Sequence, residues 1–326
     1  MTVTPIGGSP APVDVLVIGG GPAGLSAATW AARYRRSVRI VDSGEYRNRW
    51  AAKSHGYLGT DPGNPMTLLG QARADLAQYP EVDFCEGRAT AARREPDGKF
   101  VVTVNGDQHV GLRLILAMGV ADEFPEVDGF FEHYGTSLFH CATCDGYEAQ
   151  DRSVVILGWG EQVVAFAVGL LDWAHDLTIV TEGRPLEGDE RHRRVLARHG
   201  IDLVEDDAVE FIGQRGELHG VRLAGGAVLD VDLAFFSIAH KPRLDLALEL
   251  GCDTDESDSL CVDRDGRTSV AGCFAAGDIT PGFQLVPVAV GKGAAAGVAC
   301  AISLQGENGS PTSPPPAPNP NAELDS

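Results

Sequence analysis

Short apolar runs broken by glycine recur along the chain, and twice they do so in the same order. The first is Val13-Asp14-Val15-Leu16-Val17-Ile18, which breaks at Gly19-Gly20-Gly21-Pro22-Ala23-Gly24 and resumes as the alanine-rich stretch Leu25–Arg33. A second short run, Val38–Val41, ends in Asp42. A brief apolar run bounded by glycine predicts a buried strand, and the longer stretch after it a helix. The same order returns in Ser153–Leu157, then Gly158-Trp159-Gly160-Glu161-Gln162-Val163, a helix to about Trp173 and the run Leu177–Thr181. Two strand–helix–strand units predict an α/β chain with two three-layer, Rossmann-like nucleotide-binding domains.

Alternating patterns follow each unit: Phe100–Val104 and Leu112–Ala117 after the first, Ile201–Val204 and Leu218–Leu223 after the second. Near the C-terminus a strand-like run over residues 272–279 breaks at Gly277-Asp278, and a small-residue helix is expected from Gln284 to about Leu304. That last segment has no nucleotide loop of its own, so it is expected to complete the first domain. The domains read as 1–120 with 244–306, and 121–243 inserted between them. Residues 307–326, with their Ser/Pro/Asn run, are too poor in apolar groups to pack and are expected to be disordered; residues 1–12 read as a loose lead-in.

Composition narrows the function. The 326 residues are 44% hydrophobic and include 40 glycines, which suits turn-rich α/β domains with real cores. A formal charge of -20 argues against nucleic acid and against anionic membranes, both of which call for clustered Lys and Arg. The first fourteen residues hold no Lys or Arg, and no later stretch reaches spanning length free of charge or proline, so a cytoplasmic location is the default expectation. Seven cysteines in a long chain do not form a secreted disulfide framework. Cys85, Cys252, Cys261, Cys273 and Cys300 are scattered and read as small buried hydrophobes or inert thiols.

The first glycine loop is G-x-G-x-x-G after a strand and opening a helix, with an acid ending the next strand. Gly19 permits the tight turn, Gly21 lets backbone approach a pyrophosphate, and Gly24 allows close helix–strand packing. Phosphate charge would then sit at a helix N-terminus, and Asp42 is placed to accept from a ribose. This loop alone does not separate FAD from NAD. Ala275-Ala276-Gly277-Asp278 does, since a carboxylate at a strand end can hold ribityl hydroxyls and the helix that follows can stabilise negative charge on a flavin ring.

The remaining two cysteines lie in Phe139-His140-Cys141-Ala142-Thr143-Cys144-Asp145-Gly146, just before the second unit. Two cysteines separated by two residues can close a small disulfide ring at the start of a helical turn, where the dipole lowers a thiol pKa. Asp145 and His140 add proton-transfer groups. A zinc half-site competes, but structural zinc needs four ligands and no second pair exists, so no metal is expected.

These three motifs in this order resemble the low-molecular-weight thioredoxin reductase family of the pyridine-nucleotide–disulfide oxidoreductases, over about residues 13–304. The resemblance implies that the disulfide rides on the inserted domain. Cys144 would face the flavin, Cys141 would exchange with the partner and Asp145 would be the acid–base group. It further implies a homodimer whose domains rotate, and an FAD held by Gly19, Gly21, Pro22, Ala23, Gly24, Asp42, Asn48, His55, Gly119, Gly277, Asp278, Gln284 and Leu285. The second glycine loop departs from the family. Where the reductases carry a basic His-Arg-Arg stretch for the NADPH 2′-phosphate, this strand ends Thr181-Glu182-Gly183-Arg184-Pro185, and Glu182 would repel that phosphate. His192-Arg193-Arg194 comes later, read as a solvated helix face. Val163 replaces the usual small residue, so packing there must be looser. The pocket marked by Gly158, Gly160 and Glu182 is therefore weak, NADH-selective or vestigial.

A second likeness is to the branch of the same family that contains the gliotoxin- and holomycin-type dithiol oxidases. It rests on Tyr46-Arg47-Asn48-Arg49, His55-Gly56-Tyr57-Leu58-Gly59 and His140. Those enzymes oxidise a small-molecule dithiol and pass electrons through FAD to oxygen; Asp145 stands where their better-known members carry histidine. The leading expectation is an FAD-dependent dithiol–disulfide oxidoreductase with little or no NADPH use, partnered by a thioredoxin-like protein or a small-molecule dithiol or disulfide. A dithiol oxidase is the alternative. A non-catalytic redox sensor, and an FAD monooxygenase or NADH oxidase that ignores the cysteines, are the readings of other classes.

Overall fold

The computed structural model describes residues 11–306; the expected tail and most of the lead-in lie outside them. The chain divides into two compact units. The first takes residues 11–44, 72–119 and 242–306, and the second Glu45–Gln71 and Val120–Lys241.

The first unit is built on a parallel sheet whose central strand is Val13–Ile18. It is flanked by Val38–Asp42 and Asp107–Leu116, with Val82–Glu86 beyond the former and Cys273–Ala275 beyond the latter. Val13–Ile18 and Val38–Asp42 are buried and read as mostly apolar runs, which makes them legible, whereas Val82–Glu86, only partly buried and carrying two acids, gives no such signal. Phe100–Val104 and Ala89–Arg94 extend the sheet antiparallel along the first half of Asp107–Leu116. The helix Pro22–Arg33 runs against the C-terminal helix Val286–Ser303. A Cβ on Gly293 would stand 2.1 Å from the Ala23 carbonyl oxygen, and one on Gly297 2.4 Å from that of Ala27. The two backbones thus touch, and only small residues permit it. Val286–Ser303 is long and apolar enough to cross a membrane, yet it forms part of this core.

The second unit carries a five-stranded parallel sheet in the order Asp202–Val204, Asp176–Val180, Ser153–Leu157, Leu233–Phe236, Leu138–Phe139. Ala208–Gln214, Glu217–Leu223 and Val228–Leu229 form a separate antiparallel sheet. The segment Glu45–Gln71 packs here. The Arg47 guanidinium grips both oxygens of Asp122, the Trp50 ring lies 4.8 Å from that of Phe131, and the Ala52 amide donates to the Gly135 carbonyl at 3.0 Å. Two stretches rather than one therefore interrupt the first unit.

Candidate functional site

In the first unit the glycine loop forms a cradle. Gly19 has φ +106°, and a Cβ there would be 2.3 Å from the Ala117 carbonyl oxygen. A Cβ on Gly24 would sit 1.8 Å from the Gly19 carbonyl oxygen, so the helix starts directly on the loop. Gly21, the N-cap of Pro22–Arg33, has no side-chain cap, and a Cβ added there meets no heavy atom within 4 Å. Open space faces the unpaired amides of a helix N-terminus, as a pyrophosphate requires.

Gly277, at φ +83°, brings the Gly277-Asp278 corner onto this loop, its Cβ position 2.8 Å from the Ala23 Cβ. Leu285 caps the C-terminal helix just after Gln284. Gly119, also at positive φ, has open space beside it, and its carbonyl accepts from the Arg243 amide. Asp42 lies over Gly20, pairs with Arg73 and accepts from the Gly44 amide at 3.1 Å. Arg73 was not singled out from sequence. Nor was Lys292, whose ammonium donates to the carbonyls of Gly277, Thr280 and Pro281 at 3.4, 3.2 and 2.8 Å and so fixes that corner. Burial lowers its pKa, and Asp278 opposes that effect. With room at Gly21 and no bulky side chain against it, the residues fit an FAD pyrophosphate.

In the second unit Cys141 and Cys144 are joined as a disulfide. Cys141 caps the single helical turn Ala142–Asp145, its sulfur accepting from the Cys144 amide at 3.1 Å. The next turn, Gly146–Ala149, rests on Trp173: a Cβ on Gly146 would be 2.5 Å from that ring. Asp145 is half-buried, and its pKa is pushed up to about 7, chiefly by burial and then by the Glu148 carboxylate, with His55 opposing. It titrates near neutrality, as a group exchanging protons with thiols must. His140 shares a 3.0 Å hydrogen bond between its Nδ1 and the Tyr134 hydroxyl, and its pKa is pushed down to about 4 by burial and by Arg47. It is a neutral imidazole at pH 7, so Asp145 is the better-placed proton carrier.

The raised Asp145 pKa has a thermodynamic consequence. An unfolded aspartate titrates near about 3.9, so the folded state binds this proton more tightly. That contribution is fully present below the unfolded value and is lost as pH rises from about 4 through about 7. Asp145→Asn is therefore expected to raise Tm at pH 8 and to leave it nearly unchanged at pH 4, in thermal melts across pH. An equal effect at both pH values would contradict a raised pKa.

His55 and Asn48, expected to hold the cofactor, are placed in the second unit. His55 Nε2 lies 3.3 Å from Glu148 and Nδ1 3.2 Å from Asp61, and Asn48 sits in the short turn Arg47–Trp50.

The second glycine loop contrasts with the first. A Cβ on Gly160 would be 2.3 Å from the Gln162 amide oxygen, so that side chain lies where Gly21 leaves open space. A Cβ on Gly158 would meet the Ser237 carbonyl at 2.7 Å. Val163 keeps its whole side chain fully buried, where at Gly24 not even a methyl fits. Glu182 adopts φ +56°, and one of its carboxylate oxygens is buried without a hydrogen-bond partner. Its pKa is pushed up to about 7 by burial and by Asp207. Arg184 stacks 4.2 Å over the Trp159 ring. The basic triplet belongs to the helix Glu190–His199: His192 completes a capping box with Asp189, Arg193 pairs with Glu205 at 2.8 Å and Arg194 is exposed. Among the described residues no cluster of three or more His, Cys, Asp or Glu could hold a metal ion.

The family model for pyridine nucleotide-disulphide oxidoreductases matches residues 13–293, which hold both glycine loops, the disulfide and the Gly277-Asp278 corner. The chain belongs to that family. Among its relatives is the thioredoxin reductase tcpT of Claviceps purpurea, 32% identical over 90% of this chain and 94% of that one. The thioredoxin reductase sirT of Leptosphaeria maculans is 29% identical over 88% and 93%. Of solved structures, HlmI is similar at TM-score 0.84 and 33% identity, covering 90% of this chain and 92% of its own. A putative thioredoxin reductase from Bacillus anthracis is similar at TM-score 0.82 and 27% identity, covering 90% and 98%. The chain is thus a flavin-dependent, thioredoxin-reductase-like disulfide oxidoreductase, with FAD as its flavin and two Rossmann-like domains.

Proposed function

We propose that this enzyme exchanges an electron pair between FAD and the Cys141–Cys144 disulfide, and then with an external thiol or disulfide, with poor or no use of NADPH. The observation that carries the reading is the contrast between the two glycine loops: Gly24 admits no methyl where Val163 buries a whole side chain, and the strand after the second loop ends in Glu182 rather than in a basic residue. A 2′-phosphate brought to Glu182 would meet a carboxylate rather than an arginine.

FAD, held by Gly19, Gly21, Pro22, Ala23, Gly24, Gly119, Gly277, Asp278, Gln284 and Leu285 with Asp42 behind them, supplies two-electron chemistry. The chain's own residues do the rest. Cys141 exchanges with the partner, Cys144 closes the ring, and Asp145 gives and takes the thiol proton. Arg47, paired with Asp122, and Tyr134 hold His140 as a neutral imidazole before the first cysteine. The partner is a thioredoxin-like protein or a small-molecule dithiol or disulfide. A homodimer goes with this reading through the family resemblance. A cytoplasmic location is supported by the five free thiols, three of them buried, which suit a reducing compartment.

The altered second loop also favours a second reading, in which electrons enter from a small-molecule dithiol and leave to oxygen. An anaerobic titration of the flavin absorbance with NADPH, NADH and a dithiol, followed by readmission of oxygen, separates the two. NADPH is expected to bleach the flavin slowly or not at all. Fast, complete bleaching at micromolar NADPH would overturn the proposal; bleaching by dithiol with rapid recovery in oxygen would select the oxidase.

A further inference from the structure

The acid that ends the strand Val38–Asp42 is gripped by a residue far along the chain. Asp42 is buried, and its carboxylate lies so close against the middle of the first glycine loop that no Cβ fits on Gly20. Arg73, from the last turn of the helix Pro65–Leu76, pairs with Oδ2, the same oxygen that stands over Gly20. Its guanidinium also lies 5.0 Å over the ring of Phe84. The Gly44 amide donates to Asp42 Oδ1 at 3.1 Å, and the Gly87 amide to the Asp42 carbonyl at 2.9 Å. All of these residues belong to the first unit. A carboxylate this deep is costly to keep ionised without a cation beside it. Left alone it takes a proton or turns toward water, and either change removes an acceptor that ribose hydroxyls use. Arg73 supplies the charge, and the Phe84 face holds its planar guanidinium in one orientation.

We propose that Arg73 is a positioning residue for FAD that acts through Asp42: it keeps the carboxylate ionised and aimed across the glycine loop for the ribose of the cofactor's adenosine half. The inference rests on the reading of Asp42 as the ribose acid. Arg73 stands 31 positions after Asp42, so the helix that delivers it fixes the loop's acid from outside the strand–helix–strand unit.

The full-length, FAD-loaded chain is diluted in steps, and the released flavin is read by its fluorescence to give Kd. Arg73→Gln is expected to weaken FAD by about tenfold, and Arg73→Lys, which keeps the charge, by about threefold or less. Asp42→Asn is expected to weaken it by about tenfold as well. The double variant Asp42→Asn with Arg73→Gln is expected to be no worse than Asp42→Asn alone, because without the carboxylate Arg73 has nothing to position. The double variant buries no unpaired carboxylate, so this comparison holds even where Arg73→Gln alone fails to fold. The absorption band of the bound flavin keeps its shape in every variant, since the isoalloxazine ring is at the other end of the cofactor. A loss of about a hundredfold in the double variant, the product of two independent effects, overturns the inference. A flavin band distorted by Arg73→Gln shows a general loosening of the site and overturns it too. If Asp42→Asn weakens FAD while Arg73→Gln does not, the inference fails and the ribose reading stands. If Asp42→Asn leaves Kd unchanged, that reading fails first and takes the inference with it.

Discussion

Serine at position 141 or 144 is expected to abolish thiol–disulfide turnover, lowering kcat/KM by at least about 10³-fold, while the purified protein stays yellow. Oxygen cannot replace sulfur here: a serine alcohol neither forms a mixed disulfide nor reaches a reactive anionic state near neutral pH. Neither sulfur belongs to the unit that carries the glycine cradle, so FAD content is expected to hold. Turnover with a dithiol and FAD content, measured on the same preparation, check both halves. A Cys141→Ser enzyme that kept its turnover would point to a flavoenzyme that ignores its cysteines. Because the cysteines act as a unit, the double variant should be scarcely worse than either single one.

The second large effect sets two glycines of one loop against each other. At Gly24 a methyl would have to occupy a point 1.8 Å from the Gly19 carbonyl oxygen, a backbone atom that cannot rotate away. Gly24→Ala is expected to cost about 3 kcal/mol or more, a fall in Tm of about 6–12 °C for a domain of roughly 150–250 residues. At Gly21 the backbone has φ -78° and the methyl meets nothing within 4 Å. Gly21→Ala should therefore leave the flavin-free protein within about 1 kcal/mol of the parent, yet weaken FAD by at least about tenfold by filling the space a pyrophosphate needs. Melting of the flavin-free proteins and fluorescence titration with FAD separate the two outcomes. Equal loss of FAD affinity and of stability in both variants would refute the assignment of that space to a ligand.

What could be read from sequence is what backbone sterics and local spacing enforce. Gly19, Gly21 and Gly24 carry their meaning because each position answers a constraint on the chain itself, and Cys141 and Cys144 because their spacing allows a ring. Val13–Ile18 and Ser153–Leu157 match their observed bounds because buried strands are written as mostly apolar runs, and Phe100–Val104 because its pattern alternates. What escaped notice depends on charges brought together from afar. Arg73 on Asp42, Lys292 on the Gly277 corner and His55 on Glu148 join residues 31, 15 and 93 positions apart, and no local pattern announces such partners. The placement of Glu45–Gln71 was hidden for the same reason, because the Arg47–Asp122 pair and the Trp50–Phe131 contact tie it to a stretch some eighty residues later.

The contact of Gly293 and Gly297 with the backbone of Ala23 and Ala27 also has a bearing on how the chain matures during synthesis. The first glycine loop is made before residues 120–241, and the helix that buttresses it after them. Residues 120–241 can assemble while the first unit still waits for its closing helix. Newly made chains should therefore acquire their disulfide-bearing half well before they are competent to retain flavin.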